Sequence, residues 1–209
     1  MARRKKEPQN VHRKNIAMAA ESLFREKGIE NTSMNDIAKE AGYSKATLYV
    51  YFKDKEELIS VLVLESMQKL YEYISKALVN GDSVETRYKN ICWALVKYQE
   101  DYPLYFGMVL KSIRIDFETT QFLPEEKETF LVGERINKVL YDFFAEAIEK
   151  GEIRAELDIY VIIFSMWGML AGVIQLWENK QEYLNQQTNK TKKEFLEYSF
   201  DLLYASIKR

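Results

Sequence analysis

Breaks are scarce in this chain, and where they fall they coincide with helix-capping residues. Three prolines and eight glycines serve 209 residues, and Lys, Glu, Leu, Ala and Ile are abundant. That combination favours helix over sheet, with few interruptions. A first helix is expected over 10–27, where Ile16, Ala19, Ala20, Leu23 and Phe24 share a face and Gly28 closes it. Short helices follow from Thr32 and Ser33 to Gly42, and from Ser44 to about Val50. Asp54 with Glu57 forms a capping-box pattern that opens a long helix to about Val79. Asp82 with Glu85 opens the next, to about Asp101, and Pro103 starts a short one to about Ser112. Residues 113–123 read as a loop or broken helix. Pro124 opens a long helix ending at Lys150 and Gly151. Residues 158–179 form a strongly apolar helix, and Thr191 with Glu194 caps the last. No period-two alternation or internal repeat is present. The expected class is all-α: a flexible basic arm (1–9), a three-helix head (10–55) and a larger helical body (56–209).

The head meets the geometric needs of a helix-turn-helix. The first helix of such a unit needs a small residue where the second crosses it, and Ala38 is there. Four residues on, the turn needs positive φ, and Gly42 supplies it without a Cβ clash. Six further on, an apolar side chain must plug the angle between the helices, and Leu48 does so. Ile37, Ala41 and the Leu23/Phe24 stripe complete a miniature core.

Charge and rare residues narrow the chemistry. Residues 1–60 hold 12 Lys/Arg against 9 Asp/Glu, inside a chain whose net charge is -2. A basic excess confined to one end suits a polyanion partner there. One cysteine, Cys92, excludes an internal disulfide and a cysteine-cluster metal site, and reads as a small buried side chain. One histidine, His12, excludes a multi-histidine metal site. No paired nucleophile and base and no glycine-rich phosphate loop is present, so no catalytic residue, metal or cofactor is assigned. The start has a basic run without an apolar segment behind it, so a cytoplasmic location is expected.

The segment 32–58 (TSMNDIAKEAGYSKATLYVYFKDKEEL) resembles the signature of the TetR/AcrR family of regulators, as does the preceding Ala-Ala-x-x-Leu-Phe-x-x-x-Gly that ends at Gly28. The resemblance is close over about residues 10–60; beyond that only helix order and length are similar. It implies a homodimeric DNA-binding regulator, usually a repressor, with a small-molecule effector bound among the middle helices.

In such a unit the second helix lies in the major groove, with its N-terminal half facing base edges. Here that half is Ser44, Lys45, Ala46 and Thr47. Lys45 can donate to guanine, Thr47 can donate or accept, and Ala46 can touch a thymine methyl. Tyr49 and Tyr51 are placed to meet phosphates, and Thr32 and Ser33 stand at a helix start with free N–H groups. Lys55, a cation in the first turn of a helix, is mildly unfavourable there. A nearby phosphate resolves the conflict, and the resemblance assigns it that role. Tyr51 departs from the His common at its position in the family, but its phenol still donates. The arm residues Arg3, Arg4, Lys5 and Lys6 are either a solubilising tail or a source of counterion release on DNA.

In the body, 160–177 is apolar enough to touch the lower length limit of a membrane span, and Gly168 and Gly172 stand one turn apart. Acidic flanks (Glu156, Asp158, Glu178) without a basic anchor cluster argue against a membrane. A helix buried between the core and a twin subunit fits instead. With Leu196, Phe200, Leu203 and Ile207 of the last helix it would form a four-helix dimer interface, as the resemblance also implies. Candidate effector-lining residues are Trp93, Tyr98, Tyr102, Phe106, Phe117, Phe144, Met166 and Trp167, suited to a bulky, apolar or aromatic ligand. Arg114, Asp116, Glu134 and Arg135 are candidates for a polar end. Plain core is the competing reading of these aromatics. An architectural or division-control DNA-binding protein without effector, an enzyme, and a membrane-anchored regulator are the competing functions.

Overall fold

The computed structural model describes residues 8–79, 81–110 and 123–209. Among them there are nine helices and no strand: α1 (Gln9–Lys27), α2 (Met34–Glu40), α3 (Lys45–Tyr51), α4 (Lys55–Val79), α5 (Val84–Asp101), α6 (Pro103–Val109), α7 (Pro124–Glu149), α8 (Ile159–Thr188) and α9 (Lys192–Ala205). The fold is all-α, as the punctuation of the chain implies. Two compact units emerge, one of Met1–Ser66 with Gly107–Thr129, the other of Met67–Phe106 with Phe130–Arg209.

The first unit is built on α1, α2 and α3. Helix α1 starts after Pro8, which fits the first turn because its missing N–H has no partner there anyway. It buries Ile16, Ala17, Ala20, Leu23 and Phe24. Gly28 ends it at φ +83, and its N–H donates to the Phe24 carbonyl at 3.0 Å. A reciprocal capping box then starts α2: Ser33 Oγ accepts from Asp36 N–H, and the Asp36 carboxylate accepts from Ser33 N–H at 2.9 Å. Ile37 and Ala38 are the residues α2 buries. Gly42 takes φ +74 in the turn, and Tyr43 N–H donates back to the Ala38 carbonyl at 2.8 Å. A Cβ on Gly42 would meet nothing within 4 Å, so the demand for glycine is purely conformational. Leu48 has no exposed surface, and neither has Phe52 just beyond α3.

In the second unit α5, α8 and α9 pack on one another. Tyr88 donates to the Phe200 carbonyl at 3.3 Å and its ring lies 4.9 Å from that of Tyr204. Trp93 meets Phe200 edge-on at 5.4 Å, and Trp177 meets Phe195 at 5.2 Å. Around this core Lys192 pairs with Glu178 at 2.7 Å and Glu100 at 2.9 Å. Arg87 makes a fork of two 2.9 Å bonds to Glu146, and stands over the Phe143 ring. Arg87 and then Lys150 hold the Glu146 carboxyl down at about 2. An isolated antiparallel bridge, Ile153 to Lys208, ties the α7–α8 connection to the chain end.

Two boundaries differ from those expected. The cap of α5 is Ser83, whose side chain accepts from Thr86 N–H, rather than Asp82. Helix α8 runs on from Asn179 to Thr188 through a break at Lys180 (φ -138, ψ 29), and Asn189 closes it in the left-handed region. Apolarity stops near 179, but the Gln, Glu and Asn that follow continue a helix, and Leu184 anchors them by burial.

Leu48→Ala removes a fully buried side chain and is expected to cost about 2–5 kcal/mol. Gly42→Ala keeps every contact and is expected to cost only the left-handed strain, about 1–2 kcal/mol. Urea unfolding, read at constant slope, checks both magnitudes and their order.

Candidate nucleic-acid interface

Burial of Leu48 decides which way α3 faces. At 100° per residue, Ala46 and Val50 stand opposite Leu48, and Lys45 and Tyr49 flank them. Exposure follows that geometry: Lys45, Ala46, Tyr49 and Val50 are exposed, Thr47 and Tyr51 are half-buried. Ser44 caps the helix, accepting from Thr47 N–H at 3.1 Å, and its hydroxyl pairs with that of Thr47 at 2.8 Å. Lys45 Nζ lies 6.0 Å from the Tyr49 ring centroid, one turn along the same face. Ser44, Lys45, Ala46, Thr47 and Tyr49 therefore form one continuous surface, with a cation, hydroxyls and a methyl side by side.

Tyr51 closes this surface from a different base. Its ring lies 5.2 Å from that of His12 and 6.3 Å from that of Tyr43. His12 Nδ1 and Tyr43 Oη are 2.7 Å apart. Next to them Arg13 binds four groups: it donates to the Tyr51 carbonyl, to Glu57 at 2.9 Å and to Glu125 at 2.8 Å, and it stands 4.3 Å from the Phe52 ring centroid. Glu57 in turn accepts from Lys53 N–H at 2.7 Å and donates its own N–H to Asp54 at 2.9 Å. The exit of α3 and the starts of α4 and α7 are thus gathered on one guanidinium. Neither Arg13 nor Tyr43 was singled out by sequence reasoning, which used His12 only to exclude metals. Their side-chain hydrogen-bond partners lie 31 to 112 positions away, beyond any local pattern.

Thr32, Ser33 and Lys55 make their bonds at the α1–α2 connection. Thr32 is 2% exposed and its hydroxyl donates to the Gly28 carbonyl at 2.8 Å. Ser33 is exposed, but its own Asp36 already occupies the helix start with a negative charge, and Lys27 stands 3.5 Å from that carboxylate. Lys55 is half-buried, and its Nζ donates to the carbonyls of Ile29 at 2.9 Å and Thr32 at 3.2 Å. An intramolecular pair of acceptors meets the first-turn cation that sequence reasoning left to a phosphate.

Among the candidate effector residues, Tyr98, Tyr102 and Phe106 come together. Tyr98 is fully buried, with ring centroids of Tyr73 at 5.6 Å, Tyr102 at 6.0 Å and Phe106 at 6.1 Å. Tyr73, which no sequence pattern had picked, donates to Asp101 at 2.5 Å, and burial followed by that bond pushes its phenol up to about 12. Trp93 and Met166 belong to a second cluster around Tyr88 and Phe200. Phe144 is buried against Phe143, and Trp167 is half-buried. Phe117, with Arg114 and Asp116, lies outside the described residues, as do Arg3, Arg4, Lys5 and Lys6 of the arm. Of the residues expected at a dimer interface, Gly168 and Gly172 are exposed and Leu203 is half-buried. Leu196, Phe200 and Ile207 have at most 5% exposure and belong to the core of their own chain. The exposed apolar residues of α8 are Tyr160, Val161, Phe164, Met169, Leu176 and Tyr183; those of α9 are Tyr198 and Leu202.

An all-helical protein whose head presents a capped second helix in this way belongs to the helix-turn-helix class. A family profile, Bacterial regulatory proteins, tetR family, matches residues 16–62. The HTH-type transcriptional regulator TtgR of Pseudomonas putida is 25% identical over 184 residues, 85% of each chain. The fatty acid metabolism regulator protein of Bacillus subtilis is 24% identical over 173 residues, 80% of this chain and 84% of its own. The crystal structure of the transcriptional regulator FadR from Bacillus subtilis, in complex with stearoyl-CoA, superposes with a TM-score of 0.68 at 20% identity, covering 93% of this chain and 98% of that one. Residues 16–62 thus match the tetR family of bacterial regulatory proteins, and the relatives to which the longer chain is similar are transcription regulators.

Arg13→Gln leaves Glu57 and Glu125 facing each other without their shared cation. The side chains are only 18–27% exposed, so screening is incomplete. A loss of about 1–3 kcal/mol is expected. Adding Glu125→Gln should restore part of it, which a double-mutant cycle on unfolding free energies measures.

Proposed function

We propose that this protein is a cytoplasmic, homodimeric repressor that binds a palindromic operator through α3 and releases it on binding a small apolar or aromatic effector. The observation that carries the proposal is the outward face of α3, where Lys45, Thr47 and Tyr49 are presented together on a helix anchored by Leu48. Lys45 supplies a donor for guanine O6 or N7, Ala46 and Thr47 meet neighbouring base edges, and Ser44, Tyr49 and Tyr51 take phosphates. Thr32, Ser33 and Lys55 hold the α1–α2 connection in place. In this reading residues 1–9 are an arm, 10–55 the reading head and 56–209 the effector and dimerisation domain.

A second copy of the chain covers the exposed apolar face of α8. By length and composition α8 is able to cross a membrane, and 33% of its most apolar stretch is buried within the chain. The exposed remainder is a stripe, from Val161 and Phe164 past Gly168 and Gly172 to Leu176, and glycines allow another helix to approach closely. Tyr198, Leu202 and Leu203 of α9 extend it. Two heads then meet sites about one DNA turn, ~34–36 Å, or a multiple apart.

For the effector, the aromatic group around Tyr98 is the favoured wall, with Trp93, Phe144, Met166 and Trp167 in the same unit; Phe117 is a further candidate by sequence alone. Tyr73 of α4 belongs to that group, and Lys55 at the other end of α4 is bonded to the head. A ligand that displaces Tyr73 moves α4 and changes head spacing. Full release, from 99:1 to 1:99, requires it to prefer the released state by ~5.5 kcal/mol. The stearoyl-CoA bound by FadR supports an apolar ligand class.

The triple substitution Lys45→Ala, Thr47→Ala and Tyr49→Ala touches exposed or half-buried residues, so the fold should persist. Retention of a promoter fragment upstream of its own gene should fall at least about 100-fold, given ~1–3 kcal/mol for each good base contact. Undiminished retention refutes the proposed interface. Phe164→Lys places a charge in the proposed dimer face and should weaken self-association by at least about tenfold in sedimentation equilibrium, leaving helix content unchanged.

A further inference from the structure

Val50 is the most exposed residue of the described head among its large apolar side chains, at 72%. It stands on α3 directly opposite Leu48, one turn beyond Ala46. β-branched side chains lower helix propensity, and this helix has only seven residues, so an exposed valine there costs stability without adding to any core. Tyr49 beside it is 45% exposed, and Lys45 is parked along the Tyr49 ring. The crest of α3 is therefore an apolar ridge of one methyl (Ala46) and one isopropyl group (Val50), with the cation and hydroxyls on its slopes.

In the major groove the apolar feature on a base edge is the C5-methyl of thymine. We infer that Val50 is a specificity-determining residue that reads a thymine methyl in each half-site. This rests on α3 being the groove element proposed above. Residues 46 and 50 are about 6 Å apart along the helix axis, close to two base steps of ~3.4 Å, so the ridge spans two readable positions. Ala46, with its single short methyl, lies closer to the helix start, while the longer Val50 side chain reaches where α3 begins to rise from the bases. Valine makes no hydrogen bond, so it discriminates thymine from cytosine by burying the methyl alone.

The probe is a duplex selected from a random-sequence pool by the full-length wild-type chain. Each thymine in its half-sites is then replaced, symmetrically, by deoxyuridine, which removes only the methyl and leaves base pairing intact. At one symmetric position the wild type should lose about three- to five-fold affinity per half-site, the worth of one buried methyl group. Val50→Ala should bind the thymine and uracil duplexes alike at that position, with its salt dependence unchanged, because no phosphate contact is lost. Val50→Thr, of equal shape, should keep only part of the discrimination. Lys45→Ala should leave the methyl effect in place. If Val50→Ala discriminates against uracil by the wild-type factor, or if no thymine methyl matters to the wild type, the assignment of Val50 is overturned while α3 remains the reading helix. If the wild type enriches no duplex, the reading of α3 itself falls.

Discussion

Complete burial of Leu48 sets the orientation of every other residue on α3. One apolar side chain inserted against α1 and α2 leaves the remaining residues no rotational freedom about the helix axis. Ala38 lets the helices approach, and Gly42 turns the chain through a conformation other residues resist. These three residues spend their chemistry on geometry. The polar and apolar groups facing outward can then vary without altering the frame that presents them. A surface supported this way is pre-organised, so recognition does not have to order it first.

Arg13 performs the corresponding task at the far end of the same helix. Its guanidinium holds the last carbonyl of α3, an acidic residue in the first turn of α4 and another in the first turn of α7. Both carboxylates sit at helix N-termini, where negative charge is favoured in any case. Arginine suits this position because its planar fork reaches several acceptors at fixed angles, whereas a lysine offers a single point charge. The end of α3 is thereby tied to the two longest elements that begin in its unit.

Local signals made the head legible. Ser33, Gly42, Ser44 and Asp54 act within four residues of where they stand, and the helices they delimit appear where their spacing places them. Arg13, His12 and Tyr43 were not legible, because a lone basic or aromatic residue looks the same whether or not a distant partner meets it. The α9 stripe shows a different limit. Helical periodicity groups Leu196, Phe200 and Ile207 on one face, but it does not tell which apolar surface covers that face. Here it is their own chain, and the face left open is the one with Tyr198 and Leu202. Helix α8 ran longer than its apolar span for a related reason: hydrophobicity reports burial, while helix propensity continues through polar residues.

Cys92 is buried completely on α5, with its thiol pushed up to about 12 by the loss of water around it. Oxidants and electrophiles attack thiolates, and this sulfur supplies almost none at neutral pH and no route to reach it. Since the chain has no other cysteine, its occupancy of DNA is insulated from the thiol redox state of its surroundings. The same chain can therefore accept a single engineered surface thiol as a reporter without first being stripped of a native one.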